Sequence, residues 1–524
     1  MQNRLRIFFP GLLDSQKGLY SILLLYALLL GVVYFKNSGA AVNHDALIYI
    51  TAAQAIASGN WSHALLVHPL ALYPALIAAL QAVGPDWVTA ARLVSYLSLL
   101  LTLIPLYFLA RDLFDARSAF WAVLMFTLSP EPLRFAFMVL REPPYIFLLL
   151  LFVFLAQRAV WSMRFGYFLG AALALSLSIL CRPEGIIVLP IVFGFLSWRL
   201  VAVPELRRHA LKIAAGCVVF AAILAGSAWI GSTRGYPVIG KHNQYANTYM
   251  KDVLQVDLFS NYDRVKERLS EMEKMSYYEI AGDNFASIAG RFMPLIYLLG
   301  VIGGIIKTIS PSNVAAFLVG VWRFRASAAH GFIFLLAAAY AGMIWVFVIY
   351  MDFFDPRFMY FPATLLYPWI GFGVAQTIAC ASKGRYGKIL AVAAVLFFCL
   401  TPLSKSDHLF KRPDEVVLQA ARWLSAHPEL IKGRLAATDD RILFYAFDQT
   451  TSYRNDIACR QIFTIDFACL GEAIRREGID ALFVYEDLEK RSAPEAFSGY
   501  RLSKAFESGK KAVFIFQPEQ APAP

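Results

Sequence analysis

The sequence predicts an all-α polytopic transmembrane bundle of about eleven spans followed by a small soluble α/β domain, and three observations carry that prediction. Of 524 residues, 58% are hydrophobic and only 16% charged, with a mean hydropathy of +0.55, a balance outside the range of soluble domains. The apolar residues are gathered into runs of roughly 17 to 22, about the length an α-helix needs to cross a hydrocarbon core of about 30 Å. The basic residues behind the formal net charge of +11 punctuate the ends of these runs instead of clustering on one soluble face. Such charge encodes membrane orientation and gives no reason to expect a nucleic-acid partner.

The expected spans are residues 19–35, 88–110, 118–131, 143–157, 165–181, 185–200, 211–231, 291–309, 328–350, 357–379 and 386–403. The first follows a basic segment with Arg4, Arg6 and Lys17. No small-residue cleavage site follows Phe35, so it reads as an uncleaved helix. With a cytoplasmic N-terminus, the inner loops carry Arg111 and Arg117, Arg158 and Arg164, Arg199 to Lys212, Lys307 to Arg325, and Lys383 to Lys388. The outer loops carry far fewer, as the positive-inside bias requires. Residues 66–83 are nearly apolar, and a crossing there would invert every later loop. They read instead as a helix along the outer surface, broken by Pro69 and Pro74.

Residues 1–403 thus form the membrane domain, with outer loops 36–87 and 232–290, and residues 404–524 an extracytoplasmic α/β domain. In that tail, Asp414–Ala426 and Leu470–Glu477 look helical, and Leu435–Thr438, Ala481–Tyr485 and Ala512–Phe516 extended. Cys181, Cys217, Cys380 and Cys399 sit in or beside spans as small apolar residues. Cys459 and Cys469 lie in the outer domain, where a disulfide is open to them. The stretch from Lys241 to Asn284, rich in Tyr and Asn, suits a loop that covers or admits an acceptor.

Ionisable residues at the bilayer edge are costly and are functional candidates by default. Four clusters of them fall at the outer ends of the spans. The first is His44-Asp45, opening a helix that contains Tyr49. Asp45 is either a helix cap or a general base aimed at an acceptor. The second, Arg141-Glu142-Pro143-Pro144, suits a helix start, but could equally hold a phosphate, a metal or a catalytic water. The third is Arg182-Pro183-Glu184-Gly185. A turn explains Pro and Gly; it does not explain Arg182 and Glu184, and Arg offers bidentate recognition of phosphate. The fourth runs from Asp352 and Asp355 to Arg357 and Tyr360, the last two sharing a helical face. His63 and His68 leave a divalent metal open, although two histidines on a surface segment are more often polar anchors.

In the order of these elements, residues 19–403 resemble the GT-C superfamily of lipid-phosphate-sugar-dependent membrane glycosyltransferases, in particular its protein O-mannosyltransferase and aminoarabinose-transferase-like branch. The resemblance rests on Asp45 in the first outer loop and on the Trp61–Tyr73 stretch with His68-Pro69 and Tyr73-Pro74. It continues through Glu142 opening a span, the Arg182–Gly185 turn, and Arg357–Pro362, similar to an Arg-Tyr-x-x-Pro pattern. The chain departs from the family in having Ala46 after Asp45, not a second acid, and Glu142 where many relatives have Asp.

The resemblance implies Asp45 as the general base or acceptor-positioning carboxylate and Glu142 as a second acid of the site. It implies Arg182, Arg357 and Tyr360 as donor-phosphate ligands, with His44, Tyr49, His68, Arg141 and Glu184 lining the site. The implied reaction is an inverting transfer from a polyprenyl-phosphate-sugar donor to a protein, lipid or glycan acceptor, with no certain cofactor. The implied location is a bacterial inner membrane. A transporter or lipid flippase is the rival class. It predicts inverted repeats and midplane charges, and the sequence has neither.

Overall fold

The computed structural model describes residues 16–202, 285–324, 327–351, 355–383, 386–404, 414–449, 478–487, 496–497 and 499–519, with isolated residues between 215 and 271 and at 409. Expectations for span 211–231, the loop 241–284, the helix 470–477, Asp352, Cys459 and Cys469 lie largely or wholly outside these. The four cysteines within them are free thiols.

The N-terminal part is helical throughout. In order come α1 (Gln16–Asn37), α2 (Asp45–Ala57), α3 (Trp61–Val67), α4 (Leu72–Gln81), α5 (Trp87–Leu113), α6 (Ala116–Leu128), α7 (Pro130–Arg134), α8 (Glu142–Ser162) and α9 (Phe165–Cys181). A 3-10 turn (Pro183–Ile187) leads into α10 (Val188–Ala202), and the later helices are α11 (Phe285–Ile309), α12 (Pro311–Arg323) and α13 (Ala328–Met351). A second 3-10 turn (Pro356–Met359) opens α14 (Tyr360–Thr364), followed by α15 (Tyr367–Ala381) and α16 (Gly387–Leu403).

Among the described residues five helices are long and apolar enough to cross a bilayer: Lys17–Asn37, Trp87–Leu113, Glu142–Ser162, Ile288–Ile309 and Ala329–Ile349. The pair Arg357–Thr364 and Tyr367–Ala381, bent by 57°, makes a sixth if counted as one broken span. The chain is an integral membrane protein. The expected span at 118–131 is corrected: its helix ends at Leu128 and the chain turns at Ser129-Pro130. At 13 residues α6 rises only about 20 Å.

The stretch 66–83 forms two short helices, and the 10-residue α4, about 15 Å long, is too short to span. Pro69 breaks the chain between them as expected. Pro74 does not: it lies in the first turn of α4, where an absent N–H needs no partner.

Capping fixes several helix starts. Asp86 accepts from the Val88 and Thr89 N–H groups at the head of α5, and Asp115 from Ser118 at the head of α6. The bundle is held by close packing of α15 on α6 and α12. A Cβ at Gly373 would overlap the Ala316 carbonyl, and one at Gly371 the Ser118 carbonyl, so the absence of side chains there lets backbones meet. The fully buried Trp369 fills the neighbouring space against Phe334, 4.2 Å between ring centres. At the loop end of α5 and α8, Arg158 donates to both oxygens of Asp112.

The tail holds α17 (Glu415–Ser425), α18 (Pro428–Ile431), α19 (Arg441–Ala446) and the strands β1 (Leu435–Ala437), β2 (Ala481–Asp487), β3 (Ala496–Phe497), β4 (Tyr500–Ser508) and β5 (Lys511–Pro518). The sheet order is β1-β2-β5-β4-β3. β1 runs parallel to β2, and β5 pairs antiparallel with β2 and β4. Buried Arg441 organises this domain. It donates to Asp439 and Asp414, and its third partner is the Val42 carbonyl, 2.9 Å away in the membrane domain.

Burial would raise the Asp414 carboxyl, but Arg441 outweighs it. With hydrogen bonds from Lys511 and Tyr485, it holds Asp414 well below the usual carboxylate range. Further bonds run from the Val42 N–H to the Tyr445 hydroxyl and from Gln54 to the Gln449 carbonyl. The segment leading into α2 is therefore clamped by the tail.

Candidate active site

The four charged clusters pair two by two. Asp45, the first residue of α2, receives the Arg357 Nη1–H at 2.8 Å, while Arg357 Nε donates to Asp355 at 2.6 Å. The first cluster thus meets the fourth. Glu142, at the head of α8, receives Arg182 Nη1–H at 2.6 Å, and the other side of the same guanidinium donates to Glu184 at 2.7 and 3.3 Å. The second cluster meets the third. Glu142 also lies within electrostatic reach of Arg357.

Asp45 is not a helix cap. The N-cap of α2 is His44, whose side chain makes no capping bond, and the Asp45 carboxylate turns to Arg357. Its side chain is 43% exposed and that of Arg357 25%, so the pair is open to a ligand. Arg182 is the opposite case, with a side chain 6% exposed and its fork filled by two carboxylates. In the Arg182–Glu142–Glu184 triad the Arg182–Glu142 pair is buried and Glu184 is part-exposed; together they fix the head of α8 against the turn after α9. Burial alone would raise the Glu184 carboxyl, but the Arg182 guanidinium outweighs it and holds the carboxyl down to about 2.

A depressed native value means that this carboxylate stabilises the fold fully above its ordinary value of 4.5, and that the contribution disappears as pH falls from 4.5 to about 2. Acid unfolding in detergent, followed by intrinsic fluorescence, should steepen across that window. Glu184→Gln should remove that part of the slope.

Arg141, half-buried at the N-cap of α8, has no carboxylate within ion-pairing distance among the described residues. It lies within electrostatic reach of Tyr49 and Glu184. Tyr49 is buried, and that burial pushes its phenol up to about 12. Its ring stands edge-on to His68 and Tyr73, with centres 5.1 and 5.0 Å apart. His44 reaches the tail instead, its Nε2 lying 3.8 Å from Asp439.

Tyr360 does not join Arg357. Its buried hydroxyl donates to Glu131 at 3.4 Å, its ring packs on Phe135, and Glu131 is ion-paired with Arg134. Glu131 and Asp439 were not singled out in the sequence as parts of the site. The acidic residue at the start of α7, after Ser129-Pro130, is the one signal that could have pointed to the first of them.

These donors do not form a ready-made cation site, although Glu142 Oε2 is buried without a hydrogen-bond partner. Asp45 and one Glu142 oxygen are each engaged by a guanidinium. Among the described residues no three Asp, Glu, His or Cys side chains come together as a metal site, and His63, exposed on α3, uses its backbone N–H in an Asn60 cap.

Solved structures of two membrane glycosyltransferases have the same architecture. An oligosaccharyltransferase from Archaeoglobus fulgidus, in complex with an inhibitory peptide and a dolichol-phosphate, aligns over 91% of this chain and 70% of its own. The TM-score is 0.55 at 12% identity. ArnT from Cupriavidus metallidurans, bound to undecaprenyl phosphate, aligns over 96% of this chain and 98% of its own, with a TM-score of 0.52 at 13% identity. The chain has the GT-C fold. Within it, residues 67–229 match the family model described as dolichyl-phosphate-mannose-protein mannosyltransferase. No curated protein is significantly similar to the chain in sequence. The archaeal oligosaccharyltransferase has also been solved in complex with Zn and sulfate, at 13% identity over 89% of this chain and 68% of its own, with a TM-score of 0.55.

Proposed function

We propose that this protein is a membrane glycosyltransferase that moves a sugar from a polyprenyl-phosphate carrier to an acceptor on the non-cytoplasmic face of a bacterial inner membrane. The observation that carries the reading is the open Asp45–Arg357 pair at 2.8 Å. The relatives that share the fold support the donor class, since two were solved with dolichol-phosphate and undecaprenyl phosphate.

A donor phosphate competes with Asp45 for Arg357. Once the guanidinium turns to phosphate, the Asp45 carboxylate is released to accept the proton of an acceptor hydroxyl or amine. The acceptor heteroatom bonds to the anomeric carbon from the face opposite the phosphate. The carbon–oxygen bond to phosphate breaks, and polyprenyl phosphate leaves with the electron pair, giving inversion. Arg357 and uncommitted Arg141 face the charge that develops on the leaving phosphate. Positioning and electrostatic stabilisation then supply most of the acceleration, because the leaving group is already good. Arg182, saturated by Glu142 and Glu184, acts by holding Glu142 in place instead of by touching phosphate.

Arg357→Gln should raise the KM for the lipid-linked donor by roughly 10- to 100-fold, the worth of one or two charge-assisted hydrogen bonds. Release of polyprenyl phosphate from lipid-linked sugars extracted from the native membrane measures it. An unchanged donor KM would remove Arg357 from the phosphate site.

A further inference from the structure

At the far end of α8 from Glu142, a pocket opens between α8, α9, α10, the start of α13 and the helical stretch around Gly216–Phe220. Phe152, Val160, Phe168, Leu175, Phe195 and Phe332 line a cavity of about 100 Å³ that is almost wholly apolar. One lining residue does not match that chemistry. Gln157 is 6% exposed, and neither atom of its carboxamide has a hydrogen-bond partner. It stands about fifteen residues, or about 22 Å, along α8 from Glu142, so the pocket is separate from the acid–arginine cluster.

A bare amide in hydrocarbon costs several kcal/mol. A purely structural residue here would be Leu or Phe. At the rim, Trp161 lines the pocket and the Arg199 guanidinium lies over its ring, 5.0 Å from the centre, with the Arg199 Nε unpartnered. Arg158, between Gln157 and this rim, is already taken by Asp112. A Trp and a guanidinium stacked on it at this depth mark a membrane interface.

We propose that this pocket binds a glycerophospholipid from the leaflet opposite the acid–arginine cluster. One acyl chain enters the apolar lining, its ester carbonyl accepts from Gln157 Nε2, and its phosphate lies beside Arg199. Interfacial water that enters with the headgroup satisfies the carboxamide oxygen. Gln157 sits one helical turn below Trp161, the depth at which an acyl ester lies beneath an interfacial ring. The tail of a polyprenyl carrier is the competing occupant. It carries no polar atom beyond its phosphate and would leave Gln157 bare.

The test uses full-length protein, purified in detergent and stripped of lipid, with native mass spectrometry of its complex with dioleoylphosphatidylglycerol. Wild type should hold one lipid per chain. Gln157→Leu should bind it at least tenfold more weakly while melting no lower than wild type, since Leu removes an unpaired amide. Ala172→Phe, which fills the cavity, should abolish the adduct. Equal binding by wild type and Gln157→Leu would overturn the proposal. So would one-for-one displacement of the phospholipid by undecaprenyl phosphate.

Discussion

Asp45→Asn lowers the rate of sugar transfer by about 10²- to 10⁴-fold, the range associated with loss of a positioned general base, and leaves the protein folded. The two halves of this expectation come from different features. The rate falls because an amide cannot take the acceptor's proton once Arg357 has turned to the donor phosphate. The fold survives because the Asp45 side chain is 43% exposed and its ion pair lies near solvent, where such pairs contribute about 0–1 kcal/mol. Asn also keeps the shape at the first turn of α2. The check is a pair of measurements on one preparation: turnover, and the thermal midpoint in detergent. Wild-type turnover in Asp45→Asn would end the base assignment.

Arg182→Ala is expected to do the reverse, acting on stability first. The Arg182 side chain is 6% exposed, and its removal leaves Glu142 and Glu184 facing one another with no cation between them. Breaking a buried ion pair from one side costs about 3–5 kcal/mol, enough to unfold many proteins of ordinary stability. Folded yield and thermal midpoint should both drop sharply. Replacing the whole triad by Arg182→Met with Glu142→Gln and Glu184→Gln should recover much of the stability, because the unpaired charges go together. It should not recover activity, since Glu142 would still be missing from the site. If Arg182→Ala kept wild-type stability and lost only donor binding, Arg182 would be a phosphate ligand after all.

The sequence made the site's members legible but not their partners. Charges at the ends of apolar runs are conspicuous because hydrocarbon tolerates so few of them, and Asp45, Glu142, Arg182 and Arg357 all stood out for that reason. Their pairing did not stand out. Asp45 and Arg357 are separated by 312 positions, and nothing local distinguishes Arg357 with Asp45 from Arg182 with Asp45. Spacing misled at Tyr360, where a shared helical face with Arg357 looked sufficient. The guanidinium reaches outward to two acids, while the phenol packs inward on Phe135 and bonds Glu131.

In the membrane part, hydropathy located the long helices but could not show where a helix stops short, as α6 does at Leu128. In the tail, β2 and β5 were visible as apolar runs. β4, with mostly exposed side chains, was not, because a strand without buried alternation has no period-2 apolar pattern to betray it. The clamp of Arg441 on the Val42 carbonyl joins two domains and left no trace in either stretch of sequence.

The most direct test is to incubate the purified protein with lipid-linked sugars and an acceptor fraction from the native envelope and to follow both products of the reaction. Free polyprenyl phosphate and newly glycosylated acceptor should appear together in equal amounts, and both should vanish with Asp45→Asn. Movement of intact sugar-charged lipid across a vesicle bilayer, with no polyprenyl phosphate released, would contradict glycosyl transfer and identify a flippase.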